Sequence, residues 1–178
     1  NSGKTTLFNY WAGANQRVGN WPGVTVERKA GYLKKDKAIL LQDLPGIYSL
    51  SPYTPEELVT RKYLLEKRPD KIVDVVDATN IERNLYLTLQ LLETKIPLVV
   101  ALNMADLLNK QGRRINTKKL VYLLGIPVIK ISALKRKNID TLVGEMQKKQ
   151  ATPEIIPKYD PRLESALAQI AKQLQGIV

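Results

Sequence analysis

The chain has 178 residues and a mass of 20.1 kDa, a length typical of one domain with a small appendage. Its composition, 44% hydrophobic and 25% charged, is that of a globular protein and excludes a disordered chain. Because cysteine and histidine are both absent, disulfide scaffolds, thiolate or imidazole metal sites and histidine acid–base catalysis are excluded. No apolar run approaches the roughly 20 residues that a membrane-spanning helix needs.

The net charge is +11 and the pI is about 9.8. This balance is compatible with a nucleic acid, an anionic membrane surface or a phosphorylated ligand. The basic residues are scattered and carry no interleaved aromatic residues, so ordinary surface charge accounts for them equally well. We therefore expect no specific nucleic-acid partner.

The first six residues, Asn1-Ser2-Gly3-Lys4-Thr5-Thr6, match the end of a phosphate-binding loop, Gly-x-x-x-x-Gly-Lys-Ser/Thr. Gly-Lys-Thr alone also occurs at ordinary helix N-termini. The motif normally follows a strand, and we expect the full chain to contain that strand before Asn1.

Short apolar runs alternate with helical patterns along the chain. Buried strands are predicted over 37–43, 71–77, 97–103 and 127–132, and the alternating stretch 24–33 predicts an edge strand antiparallel to 38–42. One helix is predicted directly after the phosphate loop and another from Pro55 to about Lys67. Apolar stripes predict three more helices. The first stripe contains Leu85, Leu89 and Leu92, the second contains Leu120, Leu123 and Leu124 and ends at Gly125, and the third runs from Ile139 to Met146. This order predicts an α/β fold with a mostly parallel sheet, one antiparallel edge strand and helices on both faces.

The composition of the chain changes after about residue 150. The stretch 151–161 contains three prolines and is typical of a linker, and an amphipathic helix follows it. We therefore expect one domain over 1–150 and, over 151–178, a linker with one helix that could begin a second, helical domain.

Polar residues follow three predicted strands, at the edge where parallel sheets bind ligands. In Asp43-Leu-Pro-Gly46, the carboxylate can reach Mg²⁺ through a water and the Gly46 amide can bind a terminal phosphate, although the stretch is also typical of a plain turn. In Asn103-Met-Ala-Asp106, Asp106 can accept from both donors of a guanine edge, and Met104 can cover the purine face. Backbone amides of Ser132-Ala133 can donate to the guanine carbonyl.

Together these motifs resemble the translation-factor-related P-loop GTPases, and Ile47 after Asp-x-x-Gly resembles the members with a hydrophobic residue in place of a catalytic glutamine. The stretch Val18-Gly-Asn-Trp-Pro-Gly-Val-Thr-Val-Glu27, with Asn1 to Asn9 and Asp43-Leu-Pro-Gly-Ile-Tyr-Ser-Leu50, is more specific. It is similar to the cytoplasmic G domain of the bacterial and archaeal ferrous iron transporter B family (FeoB). The resemblance covers residues 1 to about 150.

The resemblance implies a Ras-like fold and a role for each motif residue. Lys4 would neutralise the phosphates, Thr5, Thr25 and Asp43 would hold Mg²⁺, and Gly46 would contact the γ-phosphate. In potassium-activated members, a residue matching Asn1 and carbonyls matching Gly19 and Trp21 hold K⁺, which does the work of an arginine finger. The implied catalytic set is Asn1, Lys4, Thr25 and Gly46, and the nucleotide-binding set is Asn1, Ser2, Gly3, Lys4, Thr5, Thr6, Val24, Thr25, Asp43, Gly46, Asn103, Met104, Asp106, Ser132, Ala133 and Leu134.

The implied function is a Mg²⁺-dependent, slow and K⁺-stimulated GTPase switch of a ferrous iron uptake transporter. It would lie at the cytoplasmic face of the prokaryotic cell membrane, joined to the transporter's membrane part and with homo-oligomerisation left open. One alternative is a soluble GTPase of ribosome assembly or tRNA modification, which the +11 charge would suit. Another is a GTP/GDP-sensing module with negligible catalysis.

Overall fold

The computed structural model describes residues 2–14, 16–110, 112–149, 151–155 and 157–174. The strands in these ranges are β1 (Gln16–Asn20), β2 (Glu27–Leu33), β3 (Asp36–Asp43), β4 (Ile72–Asp77), β5 (Leu98–Asn103) and β6 (Val128–Lys130). The α-helices are α1 (Lys4–Ala12), α2 (Pro55–Lys67), α3 (Ile81–Glu93), α4 (Ala105–Lys110), α5 (Thr117–Leu124), α6 (Ile139–Gln147) and α7 (Pro161–Leu174), and a 3₁₀ turn at Ala78–Asn80 precedes α3.

The strands form two three-stranded sheets, an antiparallel one in the order β1-β2-β3 and a parallel one in the order β4-β5-β6. The α/β class is confirmed, but the single sheet that we predicted is divided. Within the described residues β3 and β4 do not pair, and a cavity of about 610 Å³ lies beside β4 and the segment after β3. The two ligand-bearing strands of the parallel sheet, β5 and β6, keep the same direction, so Asn103 and the loop that begins near Ser132 lie at the same edge of that sheet.

Strand β5 is the centre of the parallel sheet. All six of its residues are buried, and it pairs with β4 on one side and β6 on the other. A strand covered on both faces needs a continuous apolar run, which Leu98 to Leu102 supplies. The polar residue Asn103 follows at the carboxyl end.

Two apolar cores cover the two faces of this sheet, which confirms the prediction of helices on both sides. One core joins α1 and α6 to the antiparallel sheet through residues such as Leu7, Leu33 and Leu142. The other packs α2, α3 and α5 on the opposite face, with Leu64, Leu92 and Leu124 among its buried members.

Local signals set the helix ends. Helix α2 begins at Pro55, as predicted, behind a capping box in which Thr54 and Glu57 each bind the other's backbone N–H. Helix α5 ends at Gly125, whose left-handed φ of 66° and N–H bond to the Val121 carbonyl form the expected C-cap.

The segment before β2 differs from the prediction. The stretch that we predicted as an edge strand from Val24 forms β2, which begins at Glu27 and lies in the middle of the antiparallel sheet. Its edge is a further strand, Gln16–Asn20, that the sequence pattern did not indicate. This strand pairs with β2 in a register that places Gly19 opposite Arg28. Its residues are largely exposed, so it lacks the apolar alternation that identifies a half-buried strand.

The proline-rich segment after α6 packs on the domain before α7 begins. Pro153 is buried, Ile155 contacts Gly125, and the Tyr159 hydroxyl donates a hydrogen bond to Glu93. Helix α7 keeps its apolar residues Leu163 and Leu167 about half exposed. The division at residue 150 thus remains a prediction. Among the described residues, no helix combines the length and apolar character required to cross a membrane.

Candidate nucleotide site

The N-terminus of α1 forms one end of the candidate site. Gly3 precedes the helix with φ +90°, a conformation that glycine adopts without strain, and no side chain caps the first turn. The first turn also lacks acidic residues, so its backbone N–H groups and the helix dipole favour an anion. Lys4 forms an ion pair with Asp43 at the end of β3, which joins the phosphate-loop residues to the Asp43-Leu-Pro-Gly46 motif.

Asn103 connects the phosphate-loop residues to the loop after β6. Its side chain is 3% exposed; its Nδ2 donates to the Ser2 carbonyl at 2.8 Å, and its Oδ1 accepts from the Ala133 N–H at 3.0 Å. A Cβ on Gly3 would lie 2.4 Å from Asn103 Nδ2. Asn103 therefore holds two loops together across the strand ends, and Gly3 leaves the space that this contact needs.

The carboxylate expected to read the base lies in the first turn of α4. Asp106 is 35% exposed at its side chain, and its Oδ2 lies 2.7 Å from the Lys135 ammonium. Met104, between β5 and α4, has φ 62°, a left-handed conformation that is uncommon outside glycine and that recurs at ligand sites. The backbone bend at Met104 directs the chain from the strand end into α4.

The loop after β6 is a tight turn rather than the end of a longer strand. Ser132 and Lys137 bond to each other through both backbone pairs, at 3.2 and 3.0 Å. We predicted that the Ser132 and Ala133 amides would donate to a guanine carbonyl. Instead, the Ser132 N–H donates to Lys137 and the Ala133 N–H to Asn103, so both amides have partners within the protein.

A cavity of about 790 Å³ collects most of the predicted residues. Its lining comes from the phosphate loop and α1, from the segment after β3, and from the residues that follow β5 and β6. The lining residues are Ser2, Gly3, Lys4, Thr5, Thr6, Gly46, Asn103, Met104, Asp106, Leu107, Ser132, Ala133, Leu134 and Lys135. Asp43 joins this group through its ion pair with Lys4. Asn1 lies outside the described residues.

The segment after Gly46 is anchored to α3. The guanidinium of Arg83 lies 3.7 Å from the centre of the Tyr48 ring, and the Leu50 N–H donates to Gln90 Oε1 at 2.7 Å. No sequence signal pointed to Arg83 or Gln90, because the contacts join residues that are 35 and 40 positions apart along the chain.

Val24 and Thr25, with Gly19 and Trp21, do not line this cavity within the described part of the chain. Trp21 packs edge-on against Tyr63 of α2, with ring centres 5.4 Å apart, and Arg28 lies 5.1 Å from the centre of the Trp21 ring. The Trp21 carbonyl accepts a hydrogen bond from the Val24 N–H at 3.3 Å. The structure therefore packs Trp21 on α2 rather than in the cavity.

The donors present fit a magnesium ion of the kind that nucleotides carry. Mg²⁺ keeps several waters and takes one or two protein oxygens together with phosphate oxygens. The Thr5 hydroxyl, in the first turn of α1, and the Asp43 carboxylate, paired with the neighbouring Lys4, can supply those oxygens. The described residues contain no group of three or more acidic side chains that would bind a metal without a nucleotide.

One half-buried carboxyl group was not expected. Asp74 lies in the middle of β4, and burial raises its pKa to about 6, against the opposing effect of the hydrogen bond that its Oδ2 accepts from the Thr88 hydroxyl at 2.6 Å. An aspartate within the apolar run Ile72 to Val76 is a visible anomaly in the sequence, but its partner on α3 is not.

A phosphate-loop helix, an Asn-x-x-Asp motif and the loop after the last strand around one cavity define a G domain of the P-loop GTPase class. The family model described as ferrous iron transport protein B matches residues 1–146. The chain belongs to this ferrous iron transport protein B family.

Known relatives agree with this assignment. The chain is 46% identical over 173 residues to the Fe(2+) transporter FeoB of Salmonella typhimurium, and it has the same identity to that of Escherichia coli K12. Each alignment covers 93% of this chain and 22% of the transporter. It thus spans about a fifth of those proteins. A GDP-bound mutant of the S. thermophilus FeoB G-domain superposes with a TM-score of 0.91 and 57% identity, covering 97% of this chain and 67% of that one. NFeoB from S. thermophilus bound to GDP.AlF4- and K+ gives 0.83 and 56%, covering 100% and 70%.

Proposed function

We propose that the chain binds and hydrolyses GTP as the switch domain of a ferrous iron transporter. The observation that carries this proposal is the single cavity that joins the α1 N-terminus, Lys4, Gly46 and Asp106. Its two ends have the chemistry of the two ends of a guanine nucleotide. One offers helix N–H groups and an ammonium to phosphates, and the other offers a carboxylate to the two donors of guanine.

We assign a role to each of these groups. Lys4 and the first turn of α1 would bind the phosphates, while Thr5 and Asp43 would hold Mg²⁺, which neutralises phosphate charge when bound. Asp106 would select guanine over adenine, because adenine presents mismatched donors and acceptors to a carboxylate. Asn103 would act indirectly, by fixing the phosphate loop against the loop of Ala133.

We propose that hydrolysis is slow and stimulated by K⁺. Ile47, where a glutamine would orient water, has no hydrogen-bonding group, so charge stabilisation must come from elsewhere. A bound K⁺ would supply it, and the relative bound to GDP.AlF4- and K+ supports this reading. Asn1, Gly19 and Trp21 remain the proposed ligands, and the Trp21 carbonyl would first have to leave its bond to Val24.

We propose that Val18 to Thr25 forms the first switch and 43–50 the second. The first switch would reach the nucleotide by leaving its packing against Tyr63, with Thr25 contacting the metal and the γ-phosphate. The membrane part of the same polypeptide would receive this movement, and the domain would then lie at the cytoplasmic face of the membrane. The family assignment and the identity to Fe(2+) transporters support this partner.

The test is phosphate release from GTP by the purified chain with Mg²⁺, in KCl and in NaCl. We expect GTP turnover that is faster in K⁺, and competition by GDP but not by ADP. Asp106→Asn should abolish the preference for guanine, because an amide donates where guanine needs an acceptor.

Each alternative predicts a different result. Nucleotide binding without phosphate release in a single turnover would indicate a sensing module. Retention on RNA with a steep dependence on salt would favour an RNA-associated GTPase. For the transport role, the full-length protein carrying Lys4→Gln should lose nucleotide-dependent Fe²⁺ uptake into membrane vesicles.

A further inference from the structure

The loop after β6 places the ammonium group of Lys135 against the carboxylate of Asp106, the residue expected to bind guanine. Lys135 Nζ lies 2.7 Å from Asp106 Oδ2, and both residues line the 790 Å³ cavity. Hydrogen bonds hold the loop that carries Lys135 in place: Ser132 and Lys137 bond through their backbones, and the Ala133 N–H donates to the Asn103 side chain. The ammonium is therefore directed at the carboxylate by an ordered turn.

A lysine ammonium and a guanine edge are donors for the same acceptor. Guanine uses N1–H and its exocyclic amine, one on each oxygen of a carboxylate, whereas an ammonium carries donors only. Both partners thus require Asp106 Oδ2, the oxygen that Lys135 contacts. The side chains of Lys135 and Asp106 are 60% and 35% exposed, so water can replace either partner as it leaves.

We propose that Lys135 is a competing counter-ion for Asp106, which weakens guanine binding and accelerates release of the nucleotide. This inference rests on the proposed function and concerns the base end of the same site. Exposed ion pairs change an equilibrium by about 1.4-fold to fivefold, and the effect on the GDP dissociation constant should fall in that range. Most of it should appear in the dissociation rate, as is usual for variants of one site.

The experiment measures dissociation of fluorescently labelled GDP from the purified chain by stopped flow, together with the equilibrium dissociation constant. Lys135→Gln should release GDP about 1.4 to five times more slowly than the unsubstituted chain. Lys135→Arg keeps the charge and should behave like the unsubstituted chain. Lys137→Gln removes the same charge from the same loop without contacting Asp106, and it should leave GDP release unchanged or slightly faster.

The dependence of GDP release on NaCl concentration distinguishes a charge effect of Lys135 from a purely structural one. NaCl screens an exposed pair, so the ratio of dissociation rates between Lys135→Gln and the unsubstituted chain should approach one at high NaCl. Using that ratio removes the effect of salt on the phosphates, which is common to both proteins.

Two results would overturn the inference. One is a Lys135→Gln variant that releases GDP as fast as Lys137→Gln or faster; the other is a ratio that does not change with salt. Failure of the unsubstituted chain to bind GDP would instead refute the proposed function. Thermal unfolding of each variant confirms that the comparison is made between folded proteins.

Discussion

Asn103 gives the sharpest test of how the site is held together. Replacing it with alanine removes both hydrogen bonds that join the phosphate loop to the loop after β6. The Ala133 N–H is buried and would be left without a partner, while the Ser2 carbonyl is half-buried and partly reached by water. An unpaired buried polar group costs about 1–3 kcal/mol, with the smaller value for the half-buried one.

We therefore expect Asn103→Ala to lower the free energy of unfolding by about 2–4 kcal/mol. Urea unfolding followed by circular dichroism measures this change through the transition midpoint at constant slope. GDP affinity should also fall, because the phosphate loop and the base-end loop lose their common support. The Asn103 side chain bonds to both loops, so the loss of affinity should accompany the loss of stability.

The matched control is Asn84→Ala. The Asn84 side chain also donates to a backbone carbonyl, that of Asn80 at 2.9 Å, but this bond is exposed to water. We expect a change within about 0.5 kcal/mol, as for most surface substitutions. Equal unfolding free energies for Asn103→Ala and Asn84→Ala would refute the reasoning that burial makes the Asn103 contacts important.

Two further predictions concern charge. Lys4→Gln should weaken GTP binding roughly ten- to hundredfold, because a charge-assisted hydrogen bond contributes about 1.5–3 kcal/mol. The control is Lys35→Gln, which removes a lysine whose partner is the exposed Asp140. An equal loss of GTP affinity in both variants would contradict a specific role of Lys4 at the phosphates. Burial raises the pKa of Asp74 from 3.8 to about 6, so the folded state binds the proton more tightly than the unfolded state does. The free energy of unfolding should therefore fall by about 2 kcal/mol between pH 4 and 6. Asp74→Asn should remove this decline in urea titrations, and an unchanged pH dependence would refute the assignment.

Local signals were sufficient for most secondary structure. Pro55 and Thr54 fix the start of α2, Gly125 fixes the end of α5, and the apolar run of β5 identifies the centre of the parallel sheet. These features depend on residues adjacent in sequence, so no tertiary information is needed to read them. Strand β1 was missed because its pairing with β2, rather than any apolar pattern of its own, makes it a strand.

The candidate site was predictable as a set of motifs but not as a network. We expected the phosphate loop and the residues after the strand ends to meet, and Lys4, Asn103 and Asp106 all line one cavity. The partners of these groups were not predictable. The amides of Ser132 and Ala133, expected to face a base, are bound within the protein.

The order of motifs, the type of nearly every element and the family are encoded in short stretches of neighbouring residues, and they could be predicted before any coordinates. The division into two sheets, the packing of Trp21 on Tyr63 and the pairing of Lys135 with Asp106 became known from the folded chain. These features join residues that are far apart in the sequence. Lys135 and Asp106 are 29 positions apart and Asn103 and Ser2 are 101 apart, and local propensity carries no information about which distant groups meet.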